Sequence, residues 1–308
     1  MKSVSAFNSG PMIKSDRDRS RLVRHVHLHR WAGSKMRIIE PLLEALTDNG
    51  KASVGAAVIP FWGSGVDGRA LAQLGYEVYG SDLCRDLIEA HRKATYYPDS
   101  LIEELRPYVG AGPDRYAAVR KHGDGLSNAA RFLFLCGSSF NGLWRENKKG
   151  EYNVPYGRPF VLDEEAIRIA GGQMALQPHL GVRGWEEALN VTNRMVGGSV
   201  LRDRAFVSLP VLVYADPPYW GTFSGYGAGG FGVEGHTKLA HKLAGLARQG
   251  ARVVASNADC AEVRALYGAA AQEAGVAVEF REVSARRSIA CRGDRRGATG
   301  ELILVFRR

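Results

Sequence analysis

The sequence predicts an α/β fold, in which an open, mostly parallel, doubly wound sheet ends in an antiparallel strand and carries an inserted, mainly helical domain. Apolar, β-branched runs at 54–60 and 211–215 alternate with helical patterns, as buried parallel strands do. This βα alternation breaks down between residues 96 and 205. Near the end of the chain, runs at 276–283 and 301–306 flank an Arg/Gly loop. They predict an antiparallel pair.

Composition restricts the class of protein. The 308 residues are enough for one large domain or two modest ones. With 45% apolar and 24% charged residues, the chain is typical of a soluble globular protein. We expect a cytoplasmic protein without a membrane segment, because no long apolar stretch or signal pattern is present. The cysteines lack Cys-x-x-Cys spacing, so we expect reduced thiols and no metal requirement; they are Cys84, Cys136, Cys260 and Cys291.

The charge distribution favours a polyanionic partner. The net charge is +9 and the isoelectric point is about 9.5. Residues 1–24 are polar, basic and aperiodic, which predicts a disordered basic arm. His25, His27 and His29 then alternate, as side chains on one strand face do. A metal site is one interpretation, but no carboxylate or Cys partner is evident, so we favour an exposed edge or a phosphate-contacting stretch.

The first predicted strand, glycine turn and helix have the order found in nucleotide-binding sites. A Trp, a Gly turn and Lys35 precede a predicted helix at 36–46. These residues could cover a small ligand and neutralise its carboxylate, although packing at the helix entry is the alternative. The strand at 54–60 then runs into a glycine turn at 61–65 and a helix at 68–74, an order that brings backbone amides close to a ligand.

The next strand supplies an acidic residue. It covers 77–80 and leads to Asp82, which follows Gly65 by 17 residues. An acid in this place accepts hydrogen bonds from ribose hydroxyls. The turn Gly63-Ser64-Gly65 lacks both a third glycine in register and a Gly-Lys-Ser/Thr sequence, so neither pyrophosphate nor triphosphate is provided for. An adenosine cofactor without phosphate fits better, and S-adenosylmethionine is the obvious one.

Residues 140–158 interleave aromatic rings, amides and cations around a Lys-Gly turn, which predicts a hairpin. Such groups contact phosphates, read base edges and wedge into base stacks. A solvated loop whose aromatic rings are buried is the alternative. We interpret 96–205 as an inserted recognition domain, with a helical pattern at 163–176.

The run at 211–215 leads into Asp216-Pro217-Pro218-Tyr219. The two prolines prevent both a ladder hydrogen bond and a helical turn. A carboxylate, the Pro217 carbonyl and an aromatic ring therefore lie together at the carboxyl end of a strand, where they suit a planar group bearing an exocyclic amine. An N-capping Asp before a Pro-rich turn is the alternative.

The rest of the chain completes the sheet. The Gly- and aromatic-rich stretch 220–231 predicts a mobile lid. A helix at 236–248, a strand at 253–255 that ends at Ser256-Asn257, and a helix at 261–274 follow.

Taken together, these stretches resemble the DNA adenine-N6 methyltransferases of the Dam type, or D12 class. The matches are 31–35, 60–65, 141–157, 216–219, 286–289 and 301–302, in that family's order. The resemblance implies a Rossmann-like class I methyltransferase sheet over 25–95 and 206–308, with 96–205 inserted as the target-recognition domain. The stretch Glu146-Asn147-Lys148-Lys149 departs from the pattern of family members that read GATC, so no recognition sequence is predicted.

The resemblance also implies roles for individual residues. The catalytic residues would be Asp216, Pro217, Pro218 and Tyr219. The residues that bind S-adenosylmethionine would be Trp31, Lys35, Pro60, Phe61, Gly63, Gly65, Asp82 and Phe206. The residues that contact DNA would be Arg145, Asn147, Lys148, Lys149, Asn153, Tyr156 and Arg287.

The expected function is site-specific methylation of adenine N6 in double-stranded DNA, with the target base flipped out of the stack. A cognate restriction endonuclease is a candidate genetic partner. Two alternatives remain open. One is an amino-methyltransferase that acts on RNA or on a protein amide, and the other is a DNA-binding module with this fold but without turnover. Asp216, Tyr219, Phe61 and Asp82 argue against the second, because binding alone does not require them.

Overall fold

A computed structural model of the chain describes residues 28–47, 55–147, 149–174, 179–197, 200–202, 205–207, 210–221, 231–283 and 300–308. Within these ranges, no helix is both long and apolar enough to cross a membrane. The predicted basic arm at 1–24, most of the predicted lid and the Arg/Gly loop lie outside the described residues.

The structure is organised around a seven-stranded sheet with the order β3-β2-β1-β6-β7-β9-β8. Strands β3, β2, β1, β6 and β7 are mutually parallel, whereas β9 runs antiparallel to both β7 and β8. A short antiparallel pair, β4 and β5, lies outside this sheet. The strands are β1 Ala56–Ile59, β2 Glu77–Asp82, β3 His179–Val182, β4 Val200–Arg202, β5 Ala205–Val207, β6 Val211–Ala215, β7 Arg252–Ala258, β8 Ala277–Val283 and β9 Glu301–Arg307.

Helices cover both faces of the sheet. Alternate residues of its central strands therefore pack into two different hydrophobic cores. Ala57 and Ile59 of β1 pack into one hydrophobic core, and Val58 between them packs into the other. The described helices are α1 Ile39–Leu46, α2 Val66–Gln73, α3 Arg85–Tyr96, α4 Pro98–Leu105, α5 Pro113–His122, α6 Asn128–Ser138, α7 Glu164–Met174, α8 Trp185–Gly197, α9 Val233–Arg248 and α10 Ala261–Ala274. The first core contains residues of α1 to α7, and the second contains residues of α8, α9 and α10.

The predicted α/β class and the antiparallel end of the sheet are confirmed. The details differ mainly at element boundaries. The helix predicted at 36–46 begins as a 3-10 turn at Lys35–Ile38, and the α-helix starts only at Ile39. The helix predicted at 68–74 begins earlier, at Val66, directly after the glycine turn.

The interval 96–205 contains two kinds of structure. Helices α4, α6 and α7 pack on α3, and α5 packs on α6, as does the Trp144 ring of the following hairpin. Strand β3, by contrast, pairs in parallel with β2, so that Asp82 lies opposite Val182, and thereby belongs to the central sheet. The sequence reveals this strand poorly, because His179-Leu180-Gly181-Val182 has only two buried residues.

Candidate active site

The Asp216–Tyr219 segment lies at the carboxyl edge of the parallel strands. Strand β6 is buried along its whole length between β1 and β7 and ends at Ala215. Asp216 is the next residue, and 20% of its side-chain surface remains accessible. Since ligands bind at this edge in open α/β sheets, the carboxylate is both anchored by the sheet and open to a ligand.

Two side chains hold the Asp216 carboxylate. The Lys35 ammonium lies 2.6 Å from Oδ2. The Ser256 hydroxyl, at the end of β7, donates a hydrogen bond of 2.5 Å to Oδ1. Burial raises the pKa of Asp216, and the charge and hydrogen bond of Lys35, followed by the hydrogen bond of Ser256, oppose this rise. The net effect is still a raised pKa, so burial outweighs these neighbours, which reduce the cost of ionising the carboxylate.

Lys35 is the central cation of this site. Its side chain is only 4% exposed, and its ammonium also donates to the Gly33 carbonyl oxygen at 2.6 Å. The ammonium lies 3.7 Å from Glu301 Oε1 and 4.9 Å from the ring centroid of Tyr219. The Tyr219 hydroxyl in turn donates to Glu301 Oε1. A lysine predicted to face a ligand carboxylate is thus ion-paired with Asp216 in the structure.

The strand β7 also fixes the backbone that follows Tyr219. Asn257 Oδ1 accepts hydrogen bonds from the Trp220 amide at 2.9 Å and from the Ala258 amide at 2.8 Å. Asn257 itself is fully buried. Ser256 and Asn257 therefore hold opposite ends of the Asp216–Tyr219 segment from the neighbouring strand. The sequence places them at a strand end but contains no signal for this role.

The glycine turn lies beside this segment, between β1 and α2. Gly63 and Gly65 have φ values of +48° and +65°, which residues with a Cβ rarely adopt. The Gly63 amide donates to Asp82 Oδ2 at 3.0 Å, and the Cys84 amide donates to Oδ1 at 3.0 Å. Burial raises the pKa of Asp82, and these amide hydrogen bonds oppose it. The predicted acid at the end of β2 is thereby positioned against the predicted turn.

Two aromatic residues predicted for the cofactor, Trp31 and Phe61, lie at this turn. Trp31 contacts Phe132, with ring centroids 5.9 Å apart, and its Nε1 lies 3.3 Å from where a Cβ on Gly63 would be. Phe61 stacks on Trp185 at 6.5 Å and meets the edge of Phe231 at 5.7 Å. Pro60 is buried at the end of β1. Phe206 lies in β5, but its side chain is outside the described part of the structure.

Three glycines are required by a tryptophan rather than by a ligand. The buried ring of Trp62 lies against Gly65, Gly68 and Gly80, where an added Cβ would come within 2.6, 2.3 and 2.2 Å of ring atoms. Sequence reasoning interprets the glycine turn only as an approach to a ligand. The structure shows that Gly65 of the turn, Gly68 of α2 and Gly80 of β2 are also needed to accommodate the ring.

A pair of Gly→Ala substitutions tests this packing. Gly68→Ala in α2 should lower the free energy of unfolding by about 1–3 kcal/mol, because the new methyl overlaps Trp62. Gly245→Ala in α9 is the matched control, since no atom lies within 4 Å of its added Cβ, and it should raise stability by about 0.5–1 kcal/mol. Urea unfolding measures both. Equal effects of the two substitutions would contradict the assignment.

The predicted hairpin at 140–158 is confirmed by a bridge between Glu146 and Tyr152. Two of its aromatic residues, however, do not match the expectation that the rings of this stretch wedge into a base stack. Trp144 and Tyr152 are buried, with ring centroids 4.7 Å apart, so they are core residues and cannot wedge into a base stack. They are held inside because the Trp144 ring also packs on Phe132 at 4.7 Å.

Three of the polar residues predicted to contact DNA are exposed on the hairpin. Arg145 donates to Asn153 Oδ1 at 2.8 Å, and Asn147 donates to Glu151 Oε2 at 2.8 Å. Arg145, Asn147 and Lys149 are exposed, whereas Asn153 and Tyr156 are half-buried. Lys148 and Arg287 lie outside the described residues.

His29 does not lie on an exposed strand face, which corrects the expectation for this histidine. His29 is buried and its ring makes edge contacts with Trp31, His91 and Phe132. His25 and His27 lie outside the described residues. Among the residues that are described, no group of three or more His, Cys, Asp or Glu side chains is arranged to hold a metal ion. Cys84, Cys136 and Cys260 are free thiols.

The sheet order, the glycine turn with its paired acid and the Asp-Pro-Pro-Tyr segment define an α/β methyltransferase that acts on an amino group. The family of D12 class N6 adenine-specific DNA methyltransferases matches residues 31–161 and 205–289. The chain belongs to this family and is thus an enzyme of DNA adenine methylation.

Individual relatives agree with the family. The chain is 28% identical over 295 residues to a DNA N-6-adenine-methyltransferase of Escherichia phage P1, a match that covers 91% of this chain but only 35% of the phage protein. It is 27% identical to the type II methyltransferase M.MjaIII of Methanocaldococcus jannaschii, over 87% of this chain and 93% of that one. It is 26% identical to the DNA adenine methylase of Escherichia coli, over 90% and 94% of the two chains.

Proposed function

We propose that the protein transfers a methyl group from S-adenosylmethionine to N6 of an adenine that is flipped out of double-stranded DNA. The observation that carries this proposal is the partly accessible Asp216 carboxylate, which Lys35 and Ser256 hold beside Tyr219 at the carboxyl edge of the sheet. DNA is the substrate implied by the family. The identity of the methyl donor and the flipping of the base are parts of the proposal.

The residues around the glycine turn suit an adenosine-containing cation. Asp82 is fixed by two backbone amides at the end of β2, and Trp31 and Phe61 provide aromatic surfaces at the turn. When bound, the cofactor supplies an electrophilic methyl group. The proposed binding residues are Trp31, Lys35, Pro60, Phe61, Gly63, Gly65, Asp82 and Phe206.

Asp216 is proposed to act on the amino group of the target base. The N6 lone pair of adenine is conjugated with the ring and weakly nucleophilic. When Asp216 and the Pro217 carbonyl accept hydrogen bonds from the two N6 hydrogens, the nitrogen can become pyramidal, so that its lone pair leaves conjugation with the ring and faces the methyl group. As positive charge develops on nitrogen, the carboxylate stabilises it more than it stabilises the ground state. Tyr219 is proposed to stack on the base.

Two further assignments complete the proposal. The exposed cations and amides of the hairpin at 140–158 would contact DNA, together with Arg287. Residues 25–95 and 206–308 would form the catalytic domain, to which β3 and α8 would also belong. Most of the remaining residues of 96–205 would recognise the target. The proposed DNA contacts within the hairpin are Arg145, Asn147, Lys148, Lys149, Asn153 and Tyr156.

Transfer of a tritium-labelled methyl group tests this function. We expect incorporation into duplex DNA, recovery of the label in N6-methyladenine after digestion to nucleosides, and no incorporation into RNA of the same sequence or into protein. Label in RNA or in an amide nitrogen would instead support the alternative substrate classes. Failure of the protein to label any nucleic acid while it still binds DNA would support the module without turnover.

A second experiment addresses the genetic partner. One relative carries the name of a type II methyltransferase, which supports a cognate restriction endonuclease for this chain as well. DNA from cells that express the protein should then resist cleavage by an endonuclease that recognises the same sequence and is blocked by its methylation. Sequencing of N6-methyladenine in that DNA identifies the sequence concerned.

Asn257 provides a prediction about positioning. Asn257→Ala removes the acceptor of the Trp220 amide, so the Asp216–Tyr219 segment loses one of its two supports from β7. We expect kcat to fall roughly 10–100-fold, because small misplacements of catalytic groups have effects of this size. The Kd for S-adenosylmethionine should change less than threefold. Steady-state kinetics and calorimetry measure the two quantities, and a loss confined to cofactor affinity would contradict this role.

A further inference from the structure

Glu301 is a carboxylate at the candidate active site to which the proposed reaction gives no task. It is the first residue of β9, where it lies opposite Ala258 of β7 and Val283 of β8. Because β9 runs antiparallel to β7, its amino end meets the carboxyl edge of the parallel strands, where ligands bind. The antiparallel strand thus brings a carboxylate, with 16% of its side-chain surface accessible, to the same edge as Asp216.

The Tyr219 hydroxyl donates a hydrogen bond to Glu301 Oε1, which lies 82 residues further along the chain. Burial, followed by the negative charges of Asp216 and Glu301, holds the pKa of Tyr219 well above its usual value. The hydroxyl therefore keeps the proton that it donates at physiological pH. The bond ties the side chain of the Asp216–Tyr219 segment to the antiparallel part of the sheet.

Two contacts together fix the Tyr219 ring. Its hydroxyl oxygen lies on the axis about which the ring rotates, so the hydrogen bond to Glu301 fixes the direction of the side chain. The Lys35 ammonium lies over one face of the ring, 4.9 Å from the centroid, and this cation–π contact opposes rotation about that axis. With this face covered, an aromatic base can stack only on the opposite face. Tyr219 is half-buried, so part of its surface stays accessible.

Charge compensation of Lys35 does not account for Glu301. The Lys35 ammonium lies 2.6 Å from Asp216 Oδ2 but 3.7 Å from Glu301 Oε1. The shorter distance makes Asp216 the main counter-ion of Lys35. The hydrogen bond from Tyr219 is therefore the contact that gives Glu301 a role in the site.

We propose that Glu301 is a positioning residue for methyl transfer, which holds the Tyr219 ring so that the face opposite Lys35 stacks on the target base. This inference rests on the proposed function, because it takes a flipped adenine as the ligand of Tyr219. Glu301 itself touches neither the base nor the methyl donor in this role. It fixes the ring, while Asn257 fixes the backbone that follows through the Trp220 amide.

Steady-state kinetics of methyl transfer to duplex DNA tests the inference. Glu301→Ala should lower kcat roughly 10–30-fold, because a base that stacks on a loosely held ring is misplaced relative to the methyl group. The Kd for S-adenosylmethionine, measured by calorimetry, should change less than about threefold. Glu301→Gln keeps an acceptor oxygen and should recover most of the lost activity. Tyr219→Phe removes the same hydrogen bond from its other end, so it should lower kcat by a factor similar to that of Glu301→Ala.

A double variant shows whether Glu301 acts through Tyr219. Glu301→Ala combined with Tyr219→Phe should have about the same kcat as either single variant, since the second substitution finds the hydrogen bond already broken. Glu279→Ala is the matched control. It removes a carboxylate from the neighbouring strand β8 whose partners are Arg281 and Arg307, and kcat should stay within about twofold of the wild-type value.

A fluorescent base reports on the stacking itself. 2-Aminopurine replaces the target adenine in the sequence that N6-methyladenine sequencing identifies, and its emission rises when it leaves the duplex and falls when it stacks on an aromatic ring. The complex of Glu301→Ala should be brighter than the wild-type complex, and that of Tyr219→Ala should be the brightest. Glu301→Gln should match the wild-type protein. Equal emission from the wild-type and Glu301→Ala complexes would overturn the inference.

The kinetic outcomes separate this inference from the proposed function. A wild-type kcat in Tyr219→Phe, or effects that multiply in the double variant, would overturn the role of Glu301. A Glu301→Gln variant as slow as Glu301→Ala would also overturn it and would assign Glu301 to charge compensation of Lys35. If Glu301→Ala fails to fold, Tyr219→Phe and Glu301→Gln still decide the question. No methyl transfer to duplex DNA by the wild-type protein would overturn the proposed function itself.

Discussion

Asp216→Ala is expected to lower the rate of methyl transfer to duplex DNA by roughly 10³-fold or more. The substitution removes the carboxylate that would accept an N6 hydrogen and stabilise the developing positive charge, and groups with this kind of role contribute factors of about 10²–10³ or more. It also leaves the Lys35 ammonium without its 2.6 Å partner. Single-turnover kinetics with saturating cofactor and DNA measures the chemical step.

Two comparisons make this result specific to the chemical step. The Kd for S-adenosylmethionine should stay within about tenfold of the wild-type value, since most of the proposed cofactor contacts lie on the glycine turn and β2. Asp216→Asn keeps the shape and one acceptor oxygen, and it should retain more activity than the alanine variant. An alanine variant with more than a tenth of wild-type activity would refute the catalytic role of Asp216.

Lys35→Met is expected to lower the free energy of unfolding by about 3–5 kcal/mol near pH 8. The ammonium is buried and serves Asp216, Glu301 and the Gly33 carbonyl, so its removal leaves buried carboxylates without their counter-ion. Methionine fills a similar volume, which limits the cavity. Urea unfolding of the variant and the wild-type protein measures the difference.

The destabilisation caused by Lys35→Met should depend on pH, and the direction of this dependence follows from the pKa of Asp216. Burial already raises its pKa, and without Lys35 the pKa in the folded state rises further above its unfolded value. The destabilisation is therefore largest at high pH, where the unfolded chain is ionised, and it shrinks as the pH falls and the carboxyl group is protonated in both states. Stability curves at about pH 5 and about pH 8 should show this trend.

A double variant provides the control for this prediction. Lys35→Met combined with Asp216→Asn removes both charges of the pair, and it should regain at least about half of the lost stability. A double variant that is as unstable as the sum of the two single variants would show that Lys35 acts through packing and not through the Asp216 carboxylate.

Patterns of local sequence predict much of this molecule. The apolar runs of β1 and β6, the glycine turn and Asp82 after β2 have local signatures, and the structure brings Asp82 to Gly63 as the nucleotide-site geometry requires. The antiparallel end of the sheet follows from two apolar runs around a polar loop. Family resemblance adds the expectation of an adenine methyltransferase, and the family match supports it.

Long-range contacts are what the sequence does not reveal. Nothing near Lys35 indicates that its ammonium meets Asp216, which lies far along the chain. Nothing near Trp62 indicates that its ring lies against Gly80 of the next strand. For the same reason, Trp144 and Tyr152 resemble exposed recognition residues in a basic stretch until their packing on the core is known. Side-chain roles that depend on neighbours distant in sequence require the fold.

The central claim is that Asp216 holds the amino group of a flipped adenine next to the methyl donor. A crystal structure of the protein with duplex DNA and an unreactive analogue of S-adenosylmethionine tests it most directly. We predict an extrahelical adenine with N6 about 2.7–3.2 Å from both an Asp216 oxygen and the Pro217 carbonyl, and with the analogue at the glycine turn. An adenine that remains stacked in the duplex, or that is bound away from Asp216, would contradict the claim.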